Sequence, residues 1–380
     1  MTEGAARECA RGVGRGAEGI AVVTLFSAAR LEHALNQFAL LLGGTGPAPL
    51  IVGVWLDATP APEIEGVTIV CVPPSAPAAA DAADPATPST PEGRPDAGAP
   101  TAGAGAGVGT GAARAAGAAS SAGATSPAPT AGAVVGAASG AGAAGARLRL
   151  AAGRNAGAAA AQGAGARLLV FLDADCLPGP ELLERYAEAA AEHPESVLCG
   201  PVTYLPEGAR PRTAREFAVA TAPHAARPNL PAGETRAAHD DEYRLFWSLS
   251  FACADATWRT SGGFAELYEG YGAEDTDFAS TLRERRIDLR WVGGAHAYHQ
   301  YHPTSSPPWQ HLDDILRNGA LYNARWGSWP MQGWLAAFEE AGAIERVGGG
   351  WRRVLDAAGH PVDAARRGTA ERDSTKLDTA

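Results

Sequence analysis

The sequence predicts an α/β protein: a mostly parallel sheet flanked by helices, in a single domain with a long disordered insertion. Three observations carry this. First, residues 20–26 (IAVVTLF), 50–57 (LIVGVWLD), 67–72 (VTIVCV) and 167–172 (RLLVFL) are continuous apolar runs rich in β-branched residues, which suit strands buried on both faces. Second, the first two runs are separated by a segment in which Leu31, Ala34, Leu35, Phe38, Leu41 and Leu42 recur at helical spacing. Third, that order of strand, helix, strand and strand is how a parallel sheet begins.

The remaining elements follow in order. Residues 73–146 are almost entirely Ala, Gly, Pro, Ser and Thr, with too few large apolar side chains to offset the entropy of ordering a backbone. Both flanks read as one domain, so this tract is expected to be an inserted loop; loop-closure entropy grows only with the logarithm of length. Residues 154–162 read as an Ala-rich helix, and 167–175 as a strand ending in acids. PGPELLERYAEAAAEH reads as a helix, and 196–200 as a short strand. Residues 206–240 look like loop. FWSLSFACA, a helix opening at GYGAEDTDF, a strand at 289–294 and two helices in WQHLDDILRNGALYNARWG and MQGWLAAFEEAG complete the folded part. The expected division is a disordered 1–18, a domain over 19–72 and 147–345, the insertion at 73–146, and a largely flexible tail at 346–380. Without the insertion and the ends about 270 residues remain, enough for a sizeable core.

A net charge of −11 excludes the basic footprint expected for nucleic acid or an anionic membrane. The sole lysine is Lys376. Cys9, Cys71, Cys176, Cys199 and Cys253 are odd in number and lack metal-knuckle or redox spacing, which reads as reduced, mostly buried thiols. Neither a secretory leader nor a membrane span is evident, so the expectation is a cytoplasmic protein, at most peripheral to a membrane.

Four motifs carry chemistry. Asp173-Ala174-Asp175 ends the RLLVFL strand, and ligands of open α/β sheets lie beyond the carboxyl ends of strands. Where the chain turns, one acid can face a metal and the other a sugar or ribose. Hard carboxylate oxygens suit Mn2+ or Mg2+, which in turn suit a diphosphate. A turn acid before Pro178 would look the same; the apolar strand in front favours the ligand role. In Gly270–Asp277, three acids open a helix. Acids in a first turn also simply complement the helix dipole, but Gly262, Gly263, Gly270 and Gly272 let backbone approach a ligand closely. One of these carboxylates can then take a proton from an attacking hydroxyl. The dipole lowers its pKa and neighbouring acids raise it, and local sequence does not decide which prevails.

His296, His299 and His302 follow a predicted strand and are either divalent-ion ligands or a polar surface; His299 is the best single candidate, with either of the others open to join it. Arg154-Asn155-Ala156-Gly157 offers an Arg for phosphate and an Asn for a base or ribose, or else a surface Arg and a helix cap. Asp57 ends the second strand and can accept from a uracil or ribose, or is a turn residue. Thr24 and Arg30, in and after the first strand, complete the nucleotide-sugar set.

Taken in order, AVVTLF, Arg-Asn-Ala-Gly and FLDADCLPGPELL resemble the GT-A glycosyltransferases of family 2, and SGGFAELYEGYGAEDTDFASTLRE is similar to the C-terminal signature of β-1,4-galactosyltransferases. Tyr271 stands where that signature has Trp, and Ala273 where it has Gly. The resemblance covers 20–72 and 147 to about 330. It implies the GT-A fold with its Rossmann-like sheet, and an inverting transfer of a sugar, galactose among the candidates, from a UDP-sugar to an acceptor hydroxyl. By position, Asp175 would ligate Mn2+ (or Mg2+) and Asp173 would contact ribose or sugar. Asp275 would be the base, Glu274 an acceptor or donor contact, and Tyr271 with Gly272 would line the acceptor site. The family's Met-x-x-His metal pair falls on His296 and His299, with His296 replacing the methionine. The acceptor stays open among glycan, lipid-linked sugar and small molecule.

Two other classes fit parts of this pattern. A nucleotidyltransferase would need a basic phosphate loop near the N-terminus, where TLFSAARLEH supplies Arg30 alone. A non-catalytic sugar- or partner-binding module could carry the Ala/Gly/Pro tract as a tether, but would not need a base.

Overall fold

The computed structural model describes residues 19–44, 48–75, 146–356 and 360–362. The expectations for 1–18, for most of the inserted tract, for Cys9 and for most of the C-terminal tail lie outside the described residues.

The chain opens with β1 (Ile20–Phe26), α1 (Leu31–Leu42), β2 (Leu50–Trp55) and β3 (Val67–Cys71). After the tract come α2 (Leu150–Gly163), β4 (Leu168–Leu172), β5 (Cys176–Pro178), α3 (Leu182–Glu192), β6 (Val197–Cys199), β7 (Val202–Tyr204), α4 (Ala214–Ala220) and β8 (Thr235–Ala237). Then follow β9 (Ser250–Ala254), α5 (Asp255–Ser261), α6 (Glu274–Glu284), β10 (Leu289–Val292), β11 (Ala297–His299), α7 (Leu312–Trp326), α8 (Gln332–Glu340), β12 (Ile344–Val347) and β13 (Gly350–Arg353).

Eight strands form one sheet in the order β3-β2-β1-β4-β9-β6-β10-β8. β1 runs parallel to β2 and β4, β2 to β3, and β6 to β10; β9 lies antiparallel between β4 and β6, and β8 is an antiparallel edge. β5, β11 and β7 make a small second sheet, and β12 and β13 a hairpin.

The continuous apolar runs form central strands because both faces of the sheet are covered. Ala21, Val23 and Leu25 enter one core with Leu150, Ala151, Ala158 and Ala161 of α2. Val22 and Phe26 enter the other with Phe38 of α1 and Leu182 and Tyr186 of α3. The small residues of α2 set its closeness to the sheet. A Cβ on Gly157 would collide with Val23 and lie 2.9 Å from Val54 Cγ2. Overpacking costs about 1–3 kcal/mol, against a helix-propensity gain of about 1 kcal/mol for replacing glycine by alanine. Gly157→Ala is therefore expected to lower the urea midpoint of unfolding. A raised midpoint would mean that α2 rides on the sheet with room to spare.

The structure corrects four expectations. The run at 67–72 forms the sheet edge, with Cys71 exposed, because β3 pairs only with β2 among the described residues. Residues 206–240 contain α4 and β8. α4 starts at a capping box in which Thr213 Oγ1 accepts from the Glu216 amide and the Glu216 carboxylate accepts from the Thr213 amide. The Ala-rich helix begins at Leu150, before Arg154, since Leu150, Ala151 and Ala152 already face the core. The folded part also runs past 345: β12 and β13 pair from Ile344 to Arg353, and Val354 N–H donates to the Ala343 carbonyl. Cys176, Cys199 and Cys253 are buried thiols as expected. Among the described residues no helix is long and apolar enough to cross a membrane.

Candidate active site

The chemistry-bearing residues collect where β4, β11 and α6 meet. Beyond Leu172 the chain turns through Asp173, Ala174 and Asp175 into β5. That turn is held from α1: Gln37 Nε2 donates to the carbonyls of Asp173 and Cys176, both at 2.7 Å, while Gln37 Oε1 accepts from Thr24 Oγ1 at 2.6 Å. β5 pairs with β11 so that Cys176 faces His299. Gln300 N–H then donates to the Asp175 carbonyl at 2.6 Å, and the Gln300 side chain bonds Asn36 and the His33 carbonyl. This anchoring lets the next turn bring His302 back over Asp175.

Among the described residues, Asp175, His299 and His302 present ligand atoms within 4.8 Å of one another, all buried. His302 Nε2 lies 3.2 Å from Asp175 Oδ2, His299 Nε2 lies 3.6 Å from Oδ1, and Arg30 Nε lies 3.6 Å from Oδ2. These contacts attract, but the two at 3.6 Å are too long for hydrogen bonds and the third does not form one. Asp175 Oδ2 and both imidazole Nε2 atoms are buried without a hydrogen-bond partner, which is costly unless something binds them. One carboxylate and two imidazoles at this spacing fit a divalent cation of the Mn2+ kind. Burial would raise the Asp175 pKa, but His299, His302 and Arg30 outweigh it and hold the carboxyl well below the usual range. Burial lowers the pKa of His299, favouring the neutral, ligating form.

His296 does not join this group. Its Nε2 pairs with Thr203 Oγ1 at 2.7 Å, its ring packs on Tyr298, and burial lowers its pKa to about 4. Against the expectation for His296, it is His302 that the chain places beside Asp175 and His299. β11 alternates its side chains, and the turn after it, not the strand, returns an imidazole to Asp175.

A second cluster adjoins the first. Arg154 is 1% exposed; its Nη2 lies 3.3 Å from Asp173 Oδ1 and its Nη1 3.3 Å from Glu274 Oε1. Burial first, then the nearby carboxylates, push Asp173 and Glu274 up to about 7, against the pull of Arg154. Asp275 is also raised by burial, although Oδ1 accepts the Thr276 amide at 2.6 Å and its hydroxyl at 3.1 Å. The contest between helix dipole and surroundings thus goes to the surroundings.

The loop before α6 is latched by α7. Asn318 Nδ2 donates to the carbonyls of Glu269, Tyr271 and Gly272, and Asp314 Oδ2 accepts the Tyr271 amide at 3.1 Å. Gly270 and Gly272 take φ of +71° and +89°, where a side chain would be strained. Tyr271 stacks on His311 at 4.2 Å, with Trp334 at 5.9 Å. Burial and the Asp275 and Glu274 carboxylates raise its hydroxyl pKa.

Four sequence candidates are placed differently from expectation. Thr24 is fully enclosed and supports Gln37 instead of facing a ligand. Asn155 holds the Phe264 main chain, accepting its amide and donating to its carbonyl, both at 2.9 Å. Arg30 lies against Asp175, so the one basic residue of that loop is not free as a phosphate grip. Asp57 Oδ2 accepts the Ala28 amide at 2.6 Å and ties the ends of β1 and β2 together. His302, Gln37, His311 and Asn318 are the additions. Only His302 had a sequence signal, its place in the His-Tyr run.

Acids at the carboxyl end of a strand in a mostly parallel sheet, beside a cation-ready triad, stand where open α/β sheets bind their ligands. Residues 144–255 match the model of glycosyl transferase family 2. The match spans α2 and Asp173–Asp175, under a third of the chain, and supports glycosyl transfer; α6, His299 and His302 lie beyond it. No curated protein matches the chain. Among solved structures it is similar to S. aureus TarS 1-349 in complex with UDP-GlcNAc, with a TM-score of 0.41 and 10% identity over 80% of this chain and 66% of that one. It is also similar to GalNAc-T7 with UDP, GalNAc and Mn2+, with a TM-score of 0.40 and 11% identity over 80% of this chain and 50% of that one.

Proposed function

We propose that this chain is a divalent-metal-dependent, inverting glycosyltransferase that moves a sugar, with galactose the first candidate, from a UDP-sugar to an acceptor hydroxyl. The observation that carries the reading is the set of partnerless ligand atoms on Asp175, His299 and His302, next to the buried acids Asp173, Glu274 and Asp275. A bound Mn2+ or Mg2+ would neutralise charge on the leaving diphosphate. Asp275 spends Oδ1 on Thr276, leaving Oδ2 for the acceptor hydroxyl. As that oxygen bonds to the anomeric carbon and the carbon–diphosphate bond breaks, its proton passes to Asp275. Glu274 keeps Oε2 without a partner and so can accept from a sugar hydroxyl. Asp173 stands on the donor side, and Tyr271 with Gly272 lines the acceptor side, as the galactosyltransferase-like signature implies. Positioning in a largely dry site would provide most of the acceleration.

The test is nucleotide release from UDP-, GDP- and TDP-sugars, with and without Mn2+. The expected result is slow, Mn2+-dependent release from one UDP-sugar. If there were no release and calorimetry showed no nucleotide binding, the reading would fall and a sugar- or partner-binding module would replace it.

A further inference from the structure

We propose that Arg154 is a positioning residue that holds the donor-side acid Asp173 and the acceptor-side acid Glu274 in one frame, and that it does not grip the phosphates of the donor. The inference rests on the glycosyl-transfer reading and deepens it.

The two carboxylates stand on separate elements, one beyond the end of β4 and the other in the first turn of α6. A single guanidinium joins them, Nη2 to Asp173 and Nη1 to Glu274, each at 3.3 Å. Its plane is set from a third direction, because its central carbon lies 4.9 Å from the centre of the Phe264 ring. Phe264 is itself fixed: Asn155, the next residue of α2, pairs with both its amide and its carbonyl, and also donates to Glu266 at 2.9 Å. Gly263, at φ +71°, lets that backbone pass Asn155, whose Oδ1 would sit 2.6 Å from a Cβ there. Arg154 and Asn155 together therefore clamp α2 to the segment that leads into α6. A guanidinium already shared by two buried carboxylates has little left for a diphosphate. What it does is fix the direction of Glu274, whose other oxygen, Oε2, has no partner. The planar fork makes both contacts at once, which an ammonium on a flexible stem does not reproduce.

The experiment compares the full chain with Arg154→Lys, Glu274→Gln and the double variant. It measures UDP affinity with Mn2+ by calorimetry, and kcat and KM for Mn2+-dependent hydrolysis of the donor. Arg154→Lys is expected to keep the UDP Kd within about twofold and the donor KM within about threefold, and to lower kcat by about tenfold or more. Because Arg154 acts through Glu274, the double variant should lose no more than the worse single variant, a coupling that a merely structural role would not produce. A Kd weakened about tenfold would make Arg154 a phosphate ligand, and additive losses or an unchanged kcat would remove the positioning role. Should Arg154→Lys not fold, Phe264→Leu removes the ring face under the guanidinium and carries the same expectations. An unaltered protein that neither binds UDP nor hydrolyses a donor would sink the transfer reading and this proposal together, whereas an active unaltered protein with weakened UDP binding, additive losses or an unchanged kcat in the variants overturns the positioning role alone.

Discussion

Asp175→Asn is expected to abolish the Mn2+ stimulation of nucleotide release, a loss of about 10²–10³-fold for removal of one electrostatic element of such a site. Asparagine is the choice because it keeps the shape and leaves no cavity; both asparagine and alanine leave Arg30 buried without its carboxylate, which destabilises by about 3–5 kcal/mol, so the thermal midpoint of the variant is measured beside its activity. The informative comparison is between histidines. His302→Ala should lose the Mn2+ response, because its Nε2 lies 3.2 Å from Asp175 and has no hydrogen bond. His296→Ala should keep it, because that imidazole is committed to Thr203. Nucleotide release and the rise of thermal midpoint with added Mn2+ both report the outcome. A response lost in His296→Ala and retained in His302→Ala would reverse the ligand assignment.

Asp275→Asn is the second large effect: sugar transfer should fall by about 10²–10⁴-fold while donor affinity stays. Retained transfer would remove Asp275 as the base. The same acid shapes the pH dependence. Burial raises Asp275 above the ordinary aspartate range and Glu274 to about 7, so the rising limb of the rate profile should lie above that of an ordinary aspartate. The consequence for stability has the opposite sign. A carboxyl whose pKa is raised on folding binds more protons in the native state, so its contribution to stability falls as pH climbs from the unfolded value toward the folded one. For Glu274 that window runs from 4.5 to about 7. Buried histidines such as His296, lowered to about 4, contribute the opposite slope between about 4 and 6.5, so the carboxyl contribution is read by difference: Asp275→Asn should make the slope of urea stability against pH more positive than in the unaltered chain. Asp175, whose pKa is lowered, acts the other way, and its contribution is lost only at acid pH below the ordinary aspartate value of about 4. A slope unchanged by Asp275→Asn would contradict the raised pKa of that acid.

Patterns contained within single elements determined much of this protein by sequence alone. Apart from Thr24 and Gly53, the runs that became β1, β2 and β4 are apolar throughout because helices cover both faces of the sheet, and α1 shows its buried stripe in the spacing of Ala34, Phe38 and Leu41. Asp173, Asp175, Glu274 and Asp275 stood out as candidates because acids ending an apolar strand, or opening a helix among turn glycines, lie where a ligand can approach. The tertiary structure alone decided which side chains meet. The pairing of β5 with β11 sets His299 beside Asp175, and the turn after β11, anchored by Gln300, returns His302 while His296 faces Thr203. Likewise, Arg154 and Asn155 read as a nucleotide grip until α6 and the Phe264 loop arrive from far along the chain and occupy their donors. Periodicity reports the environment within an element, but the partner of a polar atom is set by packing between elements distant in sequence. A one-residue change of register or one turn of loop redirects it without altering the local pattern.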